Sequence, residues 1–131
     1  MRFLLIFGLI VSFQCFAEGI NPLLGHWKPD LERSLASTVK DSKAHLCFKN
    51  KLCGSTDMIF SETELTSISY TSTGEELIRF SEPYEIRSYI GNEITIYYPK
   101  KETSFIYQFK ANVLYYTSEK HGFTEYFVLQ K

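Results

Sequence analysis

The sequence predicts a mainly β fold: an antiparallel up-and-down meander of about eight strands, as a barrel or a strongly curved sheet, with one short N-terminal helix. Three observations predict it. Segments rich in β-branched and aromatic residues follow one another from residue 57 to the C-terminus. Turn chemistry separates them at intervals of about 8–10 residues, too short for parallel crossovers, which need a dozen or more. Within the segments apolar and polar side chains alternate, the period of a strand with one face in a core.

In chain order, residues 1–17, MRFLLIFGLIVSFQCFA, read as a cleaved export signal. Arg2 supplies the positive start, Phe3 to Val11 carry no charge, and Cys15 and Ala17 place small residues at the −3 and −1 positions of a cleavage site. The run is too short to span a bilayer, which takes about 20 apolar residues. Acylation of Cys15 as a lipoprotein is disfavoured, because Ser12-Phe13-Gln14 is unlike a lipobox. No later stretch is long and apolar enough to span a membrane. Residues 18–131 then form one domain, expected as an exported monomer, most simply in a bacterial periplasm. The absence of an N-x-S/T glycosylation acceptor agrees with that compartment.

The charge balance is near zero, with 14 Lys and Arg against 15 Asp and Glu. Such a mixed surface has no electrostatic footprint for nucleic acid or anionic membranes, so neither is expected as a partner. Of the three cysteines, the signal would remove Cys15 and leave Cys47 and Cys53. In an oxidising compartment this pair most simply forms a disulfide that pins the loop CFKNKLC, with Lys49 and Lys51 at its tip. The alternative is a metal site using His45 in an H-x-C step, but only three candidate ligands lie close together where zinc takes four. No metal or other cofactor is expected.

The segment NPLLGHWKPDLERSL, residues 21–35, holds the chain's one tryptophan. A lone Trp at the start of an element is expected to anchor packing, so Trp27 reads as a core plug. His26 would then point to the opposite face, exposed or at a rim. Pro29 and the candidate N-cap Asp30 open a helix of about ten residues, with Leu31, Leu35 and Val39 as its docking stripe. Residues 42–56 read as a polar, disulfide-clipped loop.

The predicted strands are MIF (58–60), LTSISY (65–70), EELIRFS (75–81), YEIRSYI (84–90), EITIYY (93–98), TSFIYQF (103–109), VLYYTS (113–118) and FTEYFVLQ (123–130). Breaks fall at steps such as Thr73-Gly74, Gly91-Asn92, Ala111-Asn112 and His121-Gly122, where Gly or Asn accommodates a hairpin turn, and at Pro83. The chain is aromatic-rich, with nine Tyr and eleven Phe. The alternation points Tyr84, Ile86, Tyr98, Phe105, Tyr107, Phe109, Tyr115 and Phe127 inward, where they would line a ligand cavity. A register slip of one residue would invert any of these assignments.

Leu23-Leu24-Gly25-His26-Trp27, followed by a helix and the meander from Met58 to Gln130, resembles the lipocalin-like (calycin) architecture. It is also similar to small exported bacterial proteins that begin LxGxW and end in an aromatic strand, here Glu125-Tyr126-Phe127. The resemblance implies that Gly25 and Trp27 begin the first strand and that Trp27 packs across the closed end of the barrel. It implies a non-enzymatic protein that binds a small apolar or amphiphilic ligand. The alternative is a protein-interaction module, an inhibitor or immunity-type protein, engaging its partner through the disulfide-pinned loop. No catalytic residue is assigned: the sequence lacks a nucleophile elbow, an H-E-x-x-H step and a phosphate-cradling glycine loop. Glu119, His121 and Glu125 gather near one hairpin, where they read as solvated turn charges rather than an acid–base pair.

Overall fold

The structure, a computed structural model, describes residues 21–131. The signal reading of residues 1–17, with Cys15, lies outside them. In chain order come β1 (Gly25–Pro29), α1 (Leu31–Ala36), α2 (Lys43–Lys49), β2 (Thr56–Phe60), β3 (Glu64–Tyr70), β4 (Glu76–Pro83), β5 (Glu85–Ile90), β6 (Glu93–Tyr98), β7 (Thr103–Lys110), β8 (Val113–Ser118) and β9 (Phe123–Leu129). All eight predicted strands form, and the Gly-x-Trp step supplies the ninth. Hairpin geometry explains the turns: Ala111 and Asn112 both take positive φ, as a two-residue turn between right-handed strands requires.

The strands make one antiparallel sheet in the order β4-β3-β2-β1-β9-β8-β7-β6-β5, curled into a half-barrel. The pairings fix strand direction, and they make β4 and β5 run the same way. Only Tyr84 separates them. They are therefore one continuous path that pairs with β3 in its first half and with β6 in its second. Pro83, which cannot donate to a ladder, marks the change of partner. Tyr84 fixes the kink: its hydroxyl donates to the Ser61 carbonyl and accepts from Asn21 Nδ2 at 2.8 Å, while its ring meets Phe60 edge-on at 5.1 Å.

Inside the curl, Leu23, Trp27, Phe60, Ile94, Ile96, Leu114 and Phe127 form a dry core. Trp27 is fully buried, donates its indole N–H to the Leu23 carbonyl at 2.7 Å, and packs edge-on against Phe109 at 5.9 Å. His26 lies on the other face, its Nε2 at 2.7 Å from the buried carboxylate of Asp57. Gly25 enters β1 at φ 126°, and a Cβ there would stand 2.9 Å from Leu129 Cδ1.

The helical region departs from expectation in three ways. First, α1 ends at Ala36, because the hydroxyls of Ser37 and Thr38 bond back to the carbonyls of Ser34 and Leu35. Val39 therefore lies beyond the helix and is exposed, so the Leu31–Leu35–Val39 stripe does not form. Second, α1 docks through serine instead: buried Ser34 Oγ accepts the Tyr126 N–H at 2.9 Å, and Ser37 Oγ bonds Thr124. Third, residues 43–49 of the expected loop are helix, capped by Ser42, whose side chain accepts the His45 N–H at 3.1 Å. Ala44 and Phe48, one turn apart, face inward, and Phe48 meets Phe123 at 5.2 Å.

Cys47 and Cys53 form a disulfide. Cys47 lies within α2 and Lys49 is its last residue, so Lys49 is not at a loop tip as expected, and of the two lysines only Lys51 lies beyond the helix. The His45 ring turns to Thr38 Oγ1 at 3.0 Å. The backbone N–H groups of Leu52 and Cys53 both reach the Cys47 carbonyl, so hydrogen bonds already close this short loop.

Gly25→Ala is expected to lower stability by about 1–3 kcal/mol, the cost of a non-glycine residue at so unfavourable a φ. An unchanged urea midpoint would show that the strand start does not depend on glycine. Reduction of the disulfide is expected to cost about 2 kcal/mol, the loop-closure value for a loop this short, with the far-UV strand signal retained. Loss of that signal at neutral pH would mean that the bridge holds the sheet together.

Candidate ligand-binding cavity

Because β4 and β5 leave the sheet unclosed, the concave face opens into a cavity of about 640 Å³. Met58, Leu65 and Phe127, which belong to the packed core, also line it. Phe48 of α2 and the segment Leu52 to Thr56 flank its mouth.

The eight residues predicted to point inward divide into three groups. Tyr98, Phe105, Tyr107 and Phe127 line the cavity. Tyr84, Ile86 and Phe109 belong to the packed interior beside it: Phe109 against Trp27, Tyr84 at the kink, Ile86 against the core. Tyr115 is on the opposite face, where its ring lies 5.3 Å from that of its cross-strand partner Tyr126. The strand VLYYTS carries a tyrosine on each face, so its own alternation does not choose between them. Leu114, registered against Phe127 and Phe109, occupies the core side and turns Tyr116 inward in place of Tyr115.

Tyr116 joins Phe105 and Tyr107 in a cluster of rings: Phe105 lies 5.0 Å from Tyr116 and 4.8 Å from Tyr107, and Tyr107 lies 5.9 Å from Tyr116. Edge-to-face packing of this kind fixes each ring against its neighbours. The phenols are held neutral. Burial pushes Tyr98 up to about 12 and drives Tyr107 and Tyr116 well above the usual phenol range. They are therefore hydrogen-bond donors at neutral pH. Tyr107 Oη points at Met58 Sδ, 3.5 Å away.

Carboxylates stand among these rings, and the sequence did not mark them as a site. Glu125 is buried on the inner face of β9, between Phe123 and Phe127, and accepts the Tyr116 hydroxyl at 2.6 Å. It is thus no turn charge, in contrast to the exposed Glu119 and His121 of the adjoining hairpin. Glu82 follows Ile78 and Phe80 on the inner face of β4 and is equally withdrawn from solvent. Lys101, from the β6–β7 turn, reaches across the open seam to Glu82 Oε2 at 3.1 Å. The cavity is accordingly amphiphilic: an aromatic wall with buried charges set into it. No group of three or more His, Cys, Asp or Glu among the described residues is placed to hold a metal ion.

Burial raises the Glu125 carboxyl above its ordinary range, and the Tyr116 hydrogen bond opposes this only in part. A carboxyl raised in the folded state contributes stability below its unfolded pKa, and that contribution is lost as pH rises through the folded value. Glu125→Gln should therefore raise the melting temperature more at pH 8 than at pH 4. An equal shift at both pH values would mean that ionisation of Glu125 carries no folding penalty.

No family model matches the sequence, and no curated protein matches it. The chain is similar to the crystal structure of a lipocalin-like protein from Bacteroides uniformis, with 17% identity and a TM-score of 0.47, over 84% of this chain and 100% of that one.

Proposed function

We propose that the protein is an exported, non-enzymatic binding protein that holds a small amphiphilic molecule in the half-barrel. The cavity carries this reading. At about 640 Å³ it lies within the roughly 300–1,000 Å³ typical of small-molecule sites, and its lining combines aromatic and aliphatic side chains with polar and charged ones. Tyr98, Phe105, Tyr107 and Phe127 supply apolar surface; Tyr116, Glu82 and Glu125 supply orientation. The disulfide and the signal reading of residues 1–17 both support export to an oxidising compartment such as a periplasm. No helix among the described residues is long and apolar enough to cross a membrane.

N-phenyl-1-naphthylamine, an apolar dye that is neutral at pH 7 and brightens out of water, tests the reading directly. It should bind the purified protein saturably with one site. Ser67 sits on the cavity wall, opposite Phe80 on β4. Ser67→Trp fills the cavity and should weaken dye binding about tenfold, the worth of roughly 1.4 kcal/mol. Saturable dye binding that survives this substitution unchanged would place the dye elsewhere, and absence of dye binding to the parent would overturn the proposal.

A further inference from the structure

The buried charges of the cavity are distributed in a way that an apolar ligand does not explain. The Glu82 side chain is 5% exposed, yet only one of its two oxygens is engaged. Oε2 takes the Lys101 ammonium; Oε1 is buried without a hydrogen-bond partner among the described residues. A buried acceptor left unpaired is costly, and more so when the group is charged. A ligand donor would relieve that cost.

The surrounding groups restrict what the donor can be. Glu125 lines the same cavity, and the lysine on its lining, Lys101, is already held by Glu82. An anionic head group would thus face two carboxylates, with no free cation on the lining among the described residues to receive it. A neutral apolar ligand would leave Glu82 Oε1 unpaired. The rings beside Glu82 already accept a cation, since Lys101 Nζ stands 5.8 Å from the centroids of both Phe80 and Tyr98. Aromatic faces attract ammonium groups at such distances.

Resting on the proposal that this cavity binds an amphiphile, the geometry points to the class of ligand: a protonated amine with an apolar tail. Its ammonium donates to Glu82 Oε1 beside the Tyr98 ring. Its tail lies against Phe105, Tyr107 and Tyr116. The ligand stays a cation throughout, and no bond is made or broken.

Three probes with one tail and different heads separate the possibilities: octylamine, octanol and octanoate, each titrated against N-phenyl-1-naphthylamine bound to the purified protein at pH 7. Octylamine should displace the dye at about tenfold lower concentration than either competitor, as one charge-assisted hydrogen bond would give. Glu82→Gln, which keeps the shape and removes the charge, should abolish that preference while the dye still binds. Dye binding with octanol or octanoate equal to or stronger than octylamine would overturn the amine assignment and leave the cavity reading standing. A retained amine preference in folded Glu82→Gln would overturn the role of Glu82. If the dye does not bind the parent, the cavity reading itself fails. Should Glu82→Gln not fold, the probe series on the parent protein still decides the ligand class.

Discussion

The sheet is two meanders, and one five-residue strand joins them. β2, β3 and β4 form one hairpin series and β5 to β9 another; β1 lies between β2 and β9 and pairs with both. So short a strand contributes few ladder hydrogen bonds, and its side chain at the centre supplies the rest. Trp27 registers against Met58 on one side and Leu129 on the other, and its ring meets Phe109 from the second meander. Truncating a buried aromatic of this size typically costs about 3–5 kcal/mol, against a total of about 5–15 kcal/mol for a folded domain. The burial of one indole is thus comparable to the margin that keeps the two halves a single sheet. Gly25 matters for the same reason: it lets the chain enter the strand past Leu129 with the indole already directed inward.

The second connection between the halves is covalent, the β4–β5 path kinked at Pro83–Tyr84. A strand that changes partners midway leaves half of each edge unpaired. An eight-stranded barrel has an interior just wide enough to be filled by side chains or to hold one small ligand. Here the cavity lies inside the curl, with Leu77, Ile78 and Glu82 of the edge strand β4 on its lining. The Lys101–Glu82 pair spans the seam where hydrogen bonds are missing. Exposed ion pairs contribute little, about 0–1 kcal/mol, but Glu82 is withdrawn from solvent and its charge must be compensated there. Seam, cavity and buried carboxylate are therefore one structural fact seen at three scales.

Much of this architecture was legible in the sequence, because its strands obey a local rule. Ile94, Ile96 and Tyr98 alternate with Glu93, Thr95 and Tyr97, and a period of two needs no distant contact to be read. The helices were less legible for equally local reasons. α2 has a Ser42 cap and an Ala44–Phe48 pair one turn apart, a signal that was present but outweighed by Lys43, His45, Lys49 and Asn50, which make the stretch look like a polar loop. α1 is shorter than its apolar spacing predicts because the hydroxyls of Ser37 and Thr38 compete for the helix carbonyls, which a count of apolar positions does not register. Tyr115 falls on the face opposite to the one its alternation predicts because its strand carries rings on both faces, and only the cross-strand register of Leu114 resolves them.

The cavity's charges were illegible for a different reason. Alternation reveals which face a residue takes but not how deep that face lies. Phe123, Glu125 and Phe127 share a face by sequence alone, as do Ile78, Phe80 and Glu82. Whether a carboxylate on such a face meets water or a closed cavity depends on how tightly the sheet curls. That curl is set by long-range events, the β1 junction and the Pro83 kink, which no single segment encodes. Two carboxylates set into apolar stripes would be ordinary solvated groups on a flat sheet. On this curled one they are withdrawn among aromatic rings, and each needs a partner there: Lys101 for Glu82 and the Tyr116 hydroxyl for Glu125.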